Sequence, residues 1–153
     1  MKQNTYQMQW INNVMGVSWN AWAAATGTNA QPTQGSFETY PGDTLVTAQE
    51  MVYTVNGAFL AAGNLDINSG WTDGTVAFAV RIVVPPQVFD MGNRPYYQVA
   101  YTTDPNSTPQ FEDVVDDPAY PYTLNFTTSW GDGTLTITST SEHDGLALDC
   151  IIE

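Results

Sequence analysis

Residues 75–103 constrain the fold of this chain more than any other segment. Val76, Phe78, Val80 and Ile82 alternate with Ala77, Ala79 and Arg81, and Tyr97, Val99 and Tyr101 alternate with Gln98 and Ala100. Both arms therefore predict strands with one buried face. The connection carries three prolines, a Gly92-Asn93 pair and the aromatics Phe89, Tyr96 and Tyr97. Hairpin turns use roughly two to five small polar residues, so this connection is too long and too aromatic to be a mere turn. A rigid aromatic loop on a strand scaffold predicts a recognition surface.

The rest of the chain repeats the strand and turn pattern. Pro41-Gly42-Asp43, Asn56-Gly57, Asp73-Gly74, Asp132-Gly133 and Asp144-Gly145 are turn signals at short intervals. Between them Tyr6, Met8 and Trp10 alternate with glutamines, and Tyr122, Leu124 and Phe126 alternate with Thr123 and Asn125. Leu135 and Ile137 alternate with Thr134, Thr136 and Thr138, and residues 51–55 and 58–61 predict a hairpin across Asn56-Gly57. Many short strands separated by turns predict an all-β fold, a single antiparallel β-sandwich domain over residues 1–153. Residues 19–25, with no good cap, leave helix and strand both open. Residues 104–121, with four prolines and five carboxylates, predict a loop excursion and not a linker.

The charge balance excludes several functions. Lys2, Arg81 and Arg94 stand against sixteen carboxylates, for a net charge of −13. Nucleic acid is excluded as a partner, because its binding needs a stripe of cations to neutralise phosphates. Anionic membranes should repel the chain, so a membrane could be recognised only through neutral or zwitterionic head groups or sugars. Five Trp, eight Tyr and six Phe are ample for one core. No stretch approaches the ~20 apolar residues of a spanning helix, and residues 1–10 do not read as a signal peptide. The expectation is a soluble protein, cytoplasmic or released without a signal peptide, acting at target membranes. Cys150 stands alone, so no internal disulfide is expected.

The order of Asn12-Asn-Val-Met-Gly-Val-Ser-Trp19, Pro41-Gly-Asp43, Trp71-Thr-Asp-Gly-Thr-Val-Ala-Phe-Ala-Val80, Val83-Val-Pro-Pro86 and Gly92-Asn-Arg-Pro-Tyr-Tyr97 resembles the β-sandwich of actinoporin-like cytolysins and their fungal relatives. It is similar in the same places to the small acidic aegerolysins, including the small partner of binary insecticidal crystal proteins from bacilli. The resemblance covers roughly residues 10 to 140. It implies that Pro85 opens a head-group pocket and that Tyr96 and Tyr97 form the aromatic pair closing the loop. Val83 departs from the serine that actinoporins often place against the phosphate oxygen. The amphipathic N-terminal helix of actinoporins has no counterpart here, and the acidic charge matches aegerolysins, which recognise membrane lipids, sometimes with a larger pore-forming partner.

The candidate ligand-binding residues are Pro85, Phe89, Tyr96, Tyr97, Trp71, Tyr120 and Tyr122. Tyr96 and Tyr97 are consecutive on a strand and point to opposite faces, so at most one is core. Trp71 beside Asp73-Gly74 reads either as a surface anchor or as a plug at the core's edge. Trp10, Trp19 and Trp22 read as core, and Trp130 is open between a solvent-facing and a packed position. Glu112, Asp113, Asp116 and Asp117 do not match the EF-hand spacing, so a solvated loop is expected and no metal. His143, between Ser141 and Asp144 on one turn, cannot converge with them as a triad. Asn106-Ser-Thr108 and Asn125-Phe-Thr127 match glycosylation acceptors, read as incidental without a secretion signal.

No catalytic residue and no cofactor is expected. The reading is a lipid- or membrane-binding, cytolysin-like protein without enzymatic activity, recognising a neutral or zwitterionic head group. It could serve as the binding component of a two-protein toxin alongside a second, pore-forming protein. The alternatives are a carbohydrate-binding lectin of the same fold, taking a glycan, and a structural protein that self-assembles as a homo-oligomer.

Overall fold

The computed structural model describes residues 3–28, 35–45, 47–56, 65–85, 95–114, 121–142 and 145–153. Among these described residues thirteen strands follow one another: β1 (Gln3–Asn12), β2 (Trp19–Ala21), β3 (Gly27–Thr28), β4 (Gly35–Thr39), β5 (Thr44–Leu45), β6 (Ala48–Asn56), β7 (Leu65–Thr72), β8 (Ala77–Val84), β9 (Tyr96–Thr102), β10 (Glu112–Asp113), β11 (Tyr122–Thr128), β12 (Gly131–Glu142) and β13 (Gly145–Ile152). A 3-10 turn at Ala23–Ala25 follows β2, so the ambiguous segment 19–25 divides between strand and turn. Among the described residues no α-helix is present.

The strands form two sheets. The first runs β11-β12-β13-β1-β6-β4, and the second runs β10-β9-β8-β7-β2-β5 with β3 also on β7. Pairing is antiparallel except between β1 and β13, which run parallel from Tyr6↔Leu146 to Asn12↔Ile152. This corrects the wholly antiparallel expectation. No short connection joins these two strands, so no hairpin forces them into opposite directions. Gly57 and residues 58–61, the turn and second arm of the hairpin expected across Asn56-Gly57, lie outside the described residues; β6 itself pairs with β1 on one edge and with β4 on the other.

The sheets pack face to face over one buried cluster drawn from Tyr6 through Ile152, which makes a β-sandwich. Strand alternation sends Tyr6, Met8 and Trp10 inward from one sheet and Phe78, Val80 and Ile82 inward from the other. They meet as aromatic pairs across the interface. Trp10 lies edge-on to Trp71 at 6.1 Å and over Phe78 at 6.2 Å, and Phe78 contacts Phe126 at 5.5 Å. At 150–250 Å² buried per ring and ~25 cal/mol per Å², each such ring contributes roughly 4–6 kcal/mol of transfer free energy.

The outer face of the second sheet carries a smaller buried cluster: Trp22, Ala25, Ala77, Ala79 and Ala100, with Phe111 against it. Alanines there leave room for the 3-10 turn and for the loop after β9 to lie close on the sheet. Gly70 belongs to the same design, since a Cβ on it would stand 2.5 Å from Ala79 Cβ and 2.8 Å from the Phe78 carbonyl oxygen. Trp22 fastens the loop by donating from Nε1 to the Pro105 carbonyl at 3.0 Å.

Candidate ligand-binding site

The β8–β9 pair builds the base of the expected recognition loop. Ile82 pairs with Tyr97 and Val83 with Tyr96, which fixes where the connection begins and ends. Tyr97 is core at 2% exposure, in phase with Val99, while Tyr96 is half-buried on the opposite face of the strand. Pro85 and Pro95 flank the loop, both half-buried. Residues 86–94, including the candidate Phe89, lie outside the described residues, as does Tyr120.

Of the two readings of Trp71, surface anchor and plug at the core's edge, the buried one holds. Its ring is 1% exposed, because β7 alternates Leu65, Ile67, Ser69 and Trp71 inward and the tryptophan pairs with Phe78. From Phe78 to Val84 the strand advances about 20 Å, so Trp71 and the Pro85–Tyr96 loop stand at opposite ends of the sheet. The indole N–H groups of Trp71, Trp10 and Trp19 are buried without a hydrogen-bond partner among the described residues. Tyr122 lies elsewhere again, half-buried on the edge strand β11 of the other sheet. Desolvation, then the charge of Glu112, raises its hydroxyl pKa. The candidate residues are thus dispersed, with Pro85 and Tyr96 together at one end.

The electrostatics follow the sequence. Arg81 is the one Lys or Arg among the described residues, and it is engaged. Its guanidinium carbon sits 4.1 Å from the Phe111 ring centroid, and Nε donates to Gln98 Oε1 at 2.8 Å, with Gln98 Nε2 donating to Asp113 Oδ1 at 2.6 Å. Asp66 faces the same side, its carboxyl pushed up by desolvation and partly relieved by Arg81. Cys150 is fully buried, and burial together with Asp149 pushes its thiol far above the ordinary value, which makes it inert. No group of three or more His, Cys, Asp or Glu side chains that could hold a metal is present among the described residues. Asp116, Asp117 and His143 lie outside them.

At the other end of the sandwich two hairpins meet. Asp73 Oδ1 accepts from Thr75 N at 2.8 Å, Thr75 Oγ1 at 2.8 Å and Val76 N at 3.0 Å, closing the β7–β8 turn in which Gly74 takes φ +98°. Its Oδ2 accepts from Trp130 Nε1 at 3.0 Å, across to the β11–β12 turn. That turn is Ser129-Trp130 and not Asp132-Gly133 as expected, since Thr128 pairs with Gly131. Trp130 is half-buried, its ring edge-on to Trp19 at 6.3 Å. Beside this clasp opens a cleft of about 580 Å³ whose wall includes Tyr101, Asn125 and Asp132.

Sequence reasoning passed over the clasp and the cleft, because both depend on the register between β11 and β12. The chain matches no protein-family model and no curated protein. No helix among the described residues is long and apolar enough to cross a membrane.

Proposed function

We propose that this protein is a non-catalytic binding module of actinoporin- or aegerolysin-like fold that recognises the neutral or zwitterionic head group of a membrane lipid through the loop between Pro85 and Tyr96. The observation that carries the reading is the base of that loop. Tyr97 is locked in the core and Val83 pairs with Tyr96, so the half-buried Tyr96 is held at a fixed position beside Pro85 and Pro95. Prolines restrict φ to about −65°, so little freedom is lost when a head group docks. A choline or ethanolamine cation over an aromatic face gains about 0.5–2 kcal/mol per ring, which suits a chain of net charge −13.

Liposome flotation tests it. Vesicles of neutral and zwitterionic lipids should carry the wild-type protein and fail to carry Tyr96→Ala. If the wild-type protein floats with none of them, the reading is wrong.

A further inference from the structure

We propose that the cleft beside Tyr101, at the opposite end of β9 from the Pro85–Tyr96 loop, is a separate binding site for a neutral sugar ring. Tyr101 and Tyr96 are five residues apart on one strand, about 17 Å, so the two sites are distinct. The cleft measures about 580 Å³ and includes Tyr101, Asn125, Thr127, Asp132, Thr134 and Glu153 in its wall. It takes three features to make this a sugar site, and each comes from a named residue.

The first is an aromatic ring left open. Tyr101 shares its strand face with Tyr97 and Val99, exposed by only 2% and 6%, yet is itself 37% exposed. The core ends beneath it, and the ring forms part of the cleft wall. An aromatic surface of this kind packs against the apolar C–H face of a pyranose, while the phenol hydroxyl remains wet.

The second is a pair of planar polar groups fixed by their neighbours. Across the β11–β12 ladder Asn125 pairs with Thr134 and Thr127 with Asp132. Thr134 Oγ1 donates to Asn125 Oδ1 at 3.3 Å, and Thr127 Oγ1 donates to Asp132 Oδ1 at 2.9 Å. Each bond orients its amide or carboxylate and leaves Asn125 Nδ2 as a donor and Asp132 Oδ2 as an acceptor, without protein partners among the described residues. The two pairs are one ladder step apart, about 7 Å, the scale of a single sugar ring. A hydroxyl group donates and accepts at once, so sugar hydroxyls can satisfy both groups.

The third is charge. Asp132 and Glu153 line the cleft, and among the described residues no Lys or Arg does. Phosphorylated or sialylated ligands would be repelled there, whereas a neutral sugar supplies O–H donors to the carboxylates in charge-assisted bonds.

The test is a titration of the isotopically labelled protein with the methyl glycosides of glucose, galactose and mannose, followed by amide chemical shifts. At least one should give saturable shifts confined to residues near 101–103, 125–127 and 132–134. Asp132→Asn should weaken that affinity by about tenfold, the size of one charge-assisted hydrogen bond. Tyr101→Ala should weaken it by at least as much and Tyr101→Phe should keep it, while Tyr96→Ala leaves it unchanged. The wild-type spectrum serves as the fold control for each variant. The proposal is overturned if no glycoside shifts these residues, or if the shifts survive in both Tyr101→Ala and Asp132→Asn. A preference for sialyllactose over lactose would also overturn it. None of these results bears on lipid flotation, so the two readings stand or fall separately.

Discussion

The indole of Trp130 donates to Asp73 Oδ2 at 3.0 Å, and this one bond ties the turn of the β11–β12 hairpin in one sheet to the turn of the β7–β8 hairpin in the other. The apolar contacts of the core have no preferred register, whereas hydrogen bonds are directional; besides this one, the Tyr40 hydroxyl just past β4 donates to the Asn68 carbonyl of β7 at 3.3 Å. Trp130→Phe keeps one aromatic ring against Trp19 and Phe126 and removes the indole donor together with part of the packed surface. Its cost should be at least about 1.5–3 kcal/mol, the range for hydrogen bonds to charged groups, read from the urea midpoint at unchanged slope. Asp73→Ala should cost more, because it also strips the acceptor from Thr75 N and Val76 N within the turn.

The pH dependence of stability should carry the mark of the same residue. Burial tends to raise the Asp73 carboxyl, but the bonds from Val76, Thr75 and Trp130 outweigh it and hold the group below its ordinary value. The folded protein then binds fewer protons at this site than the unfolded chain, whose carboxyl titrates near 3.9. The stabilisation is complete above that value and is lost as pH falls through the lowered one. The stability gap between wild type and Asp73→Asn should therefore stay constant between about pH 5 and 7 and close below about pH 4. Asp66 should behave in the opposite sense. Desolvation raises it despite Arg81, so Asp66→Asn should gain stability relative to wild type as pH rises from about 4 to 7.

Strand alternation made the sandwich legible, and the places where reading failed share a cause. The inward sets Tyr6/Met8/Trp10, Phe78/Val80/Ile82 and Leu135/Ile137 all stood in the sequence, because a half-buried strand must alternate. Trp71 stood between anchor and core plug because its neighbours Asp73-Gly74 suggested an exposed tip, although the run Leu65, Ile67, Ser69, Trp71 already had an inward phase. The turn at Ser129-Trp130 was missed because Asp132-Gly133 has the better turn chemistry. Gly133 serves packing instead, since a Cβ there would run into the Phe126 ring and lie 2.9 Å from Trp130 Cη2, while the positive φ falls on Gly131 at +132°. The parallel β1–β13 pair and the cleft at Tyr101 were not legible, because contacts between strands distant in sequence leave no local pattern.

Gly70 tests how closely the outer face of the second sheet is packed. The Cβ of Gly70→Ala would meet Ala79 Cβ at 2.5 Å and backbone atoms of Phe78 and Ala79 at 2.8 and 3.0 Å, and the backbone cannot rotate aside. The substitution should destabilise by about 1–3 kcal/mol, the usual range for overpacking, even though alanine is otherwise the milder residue in a strand. Thermal unfolding would check this. A neutral or stabilising result would show that β7 and β8 can separate slightly without loss.

Binding to vesicles should be insensitive to salt. With a net charge of −13 and Arg81 engaged by Phe111 and Gln98, no cationic patch among the described residues offers an attraction for added ions to screen. A flotation affinity that fell about tenfold between low and physiological ionic strength would point to cations acting from outside the described residues.

Tyr96 and Tyr97 provide the most discriminating comparison, because two identical side chains on adjacent positions face opposite ways. Tyr97 belongs to the core at 2% exposure, so Tyr97→Ala should cost roughly 3–5 kcal/mol, as truncation of a buried aromatic does. Tyr96 is half-buried on the outer face, where its removal opens no cavity between the sheets. Tyr96→Ala should therefore leave the melting temperature nearly unchanged while abolishing vesicle binding. Tyr97→Phe separates packing from polarity, since it keeps the ring and should retain most of the stability that alanine loses. If Tyr96→Ala floats with vesicles as well as wild type does, the aromatic loop is not the lipid site, and the actinoporin-like reading loses the residue on which it chiefly depends.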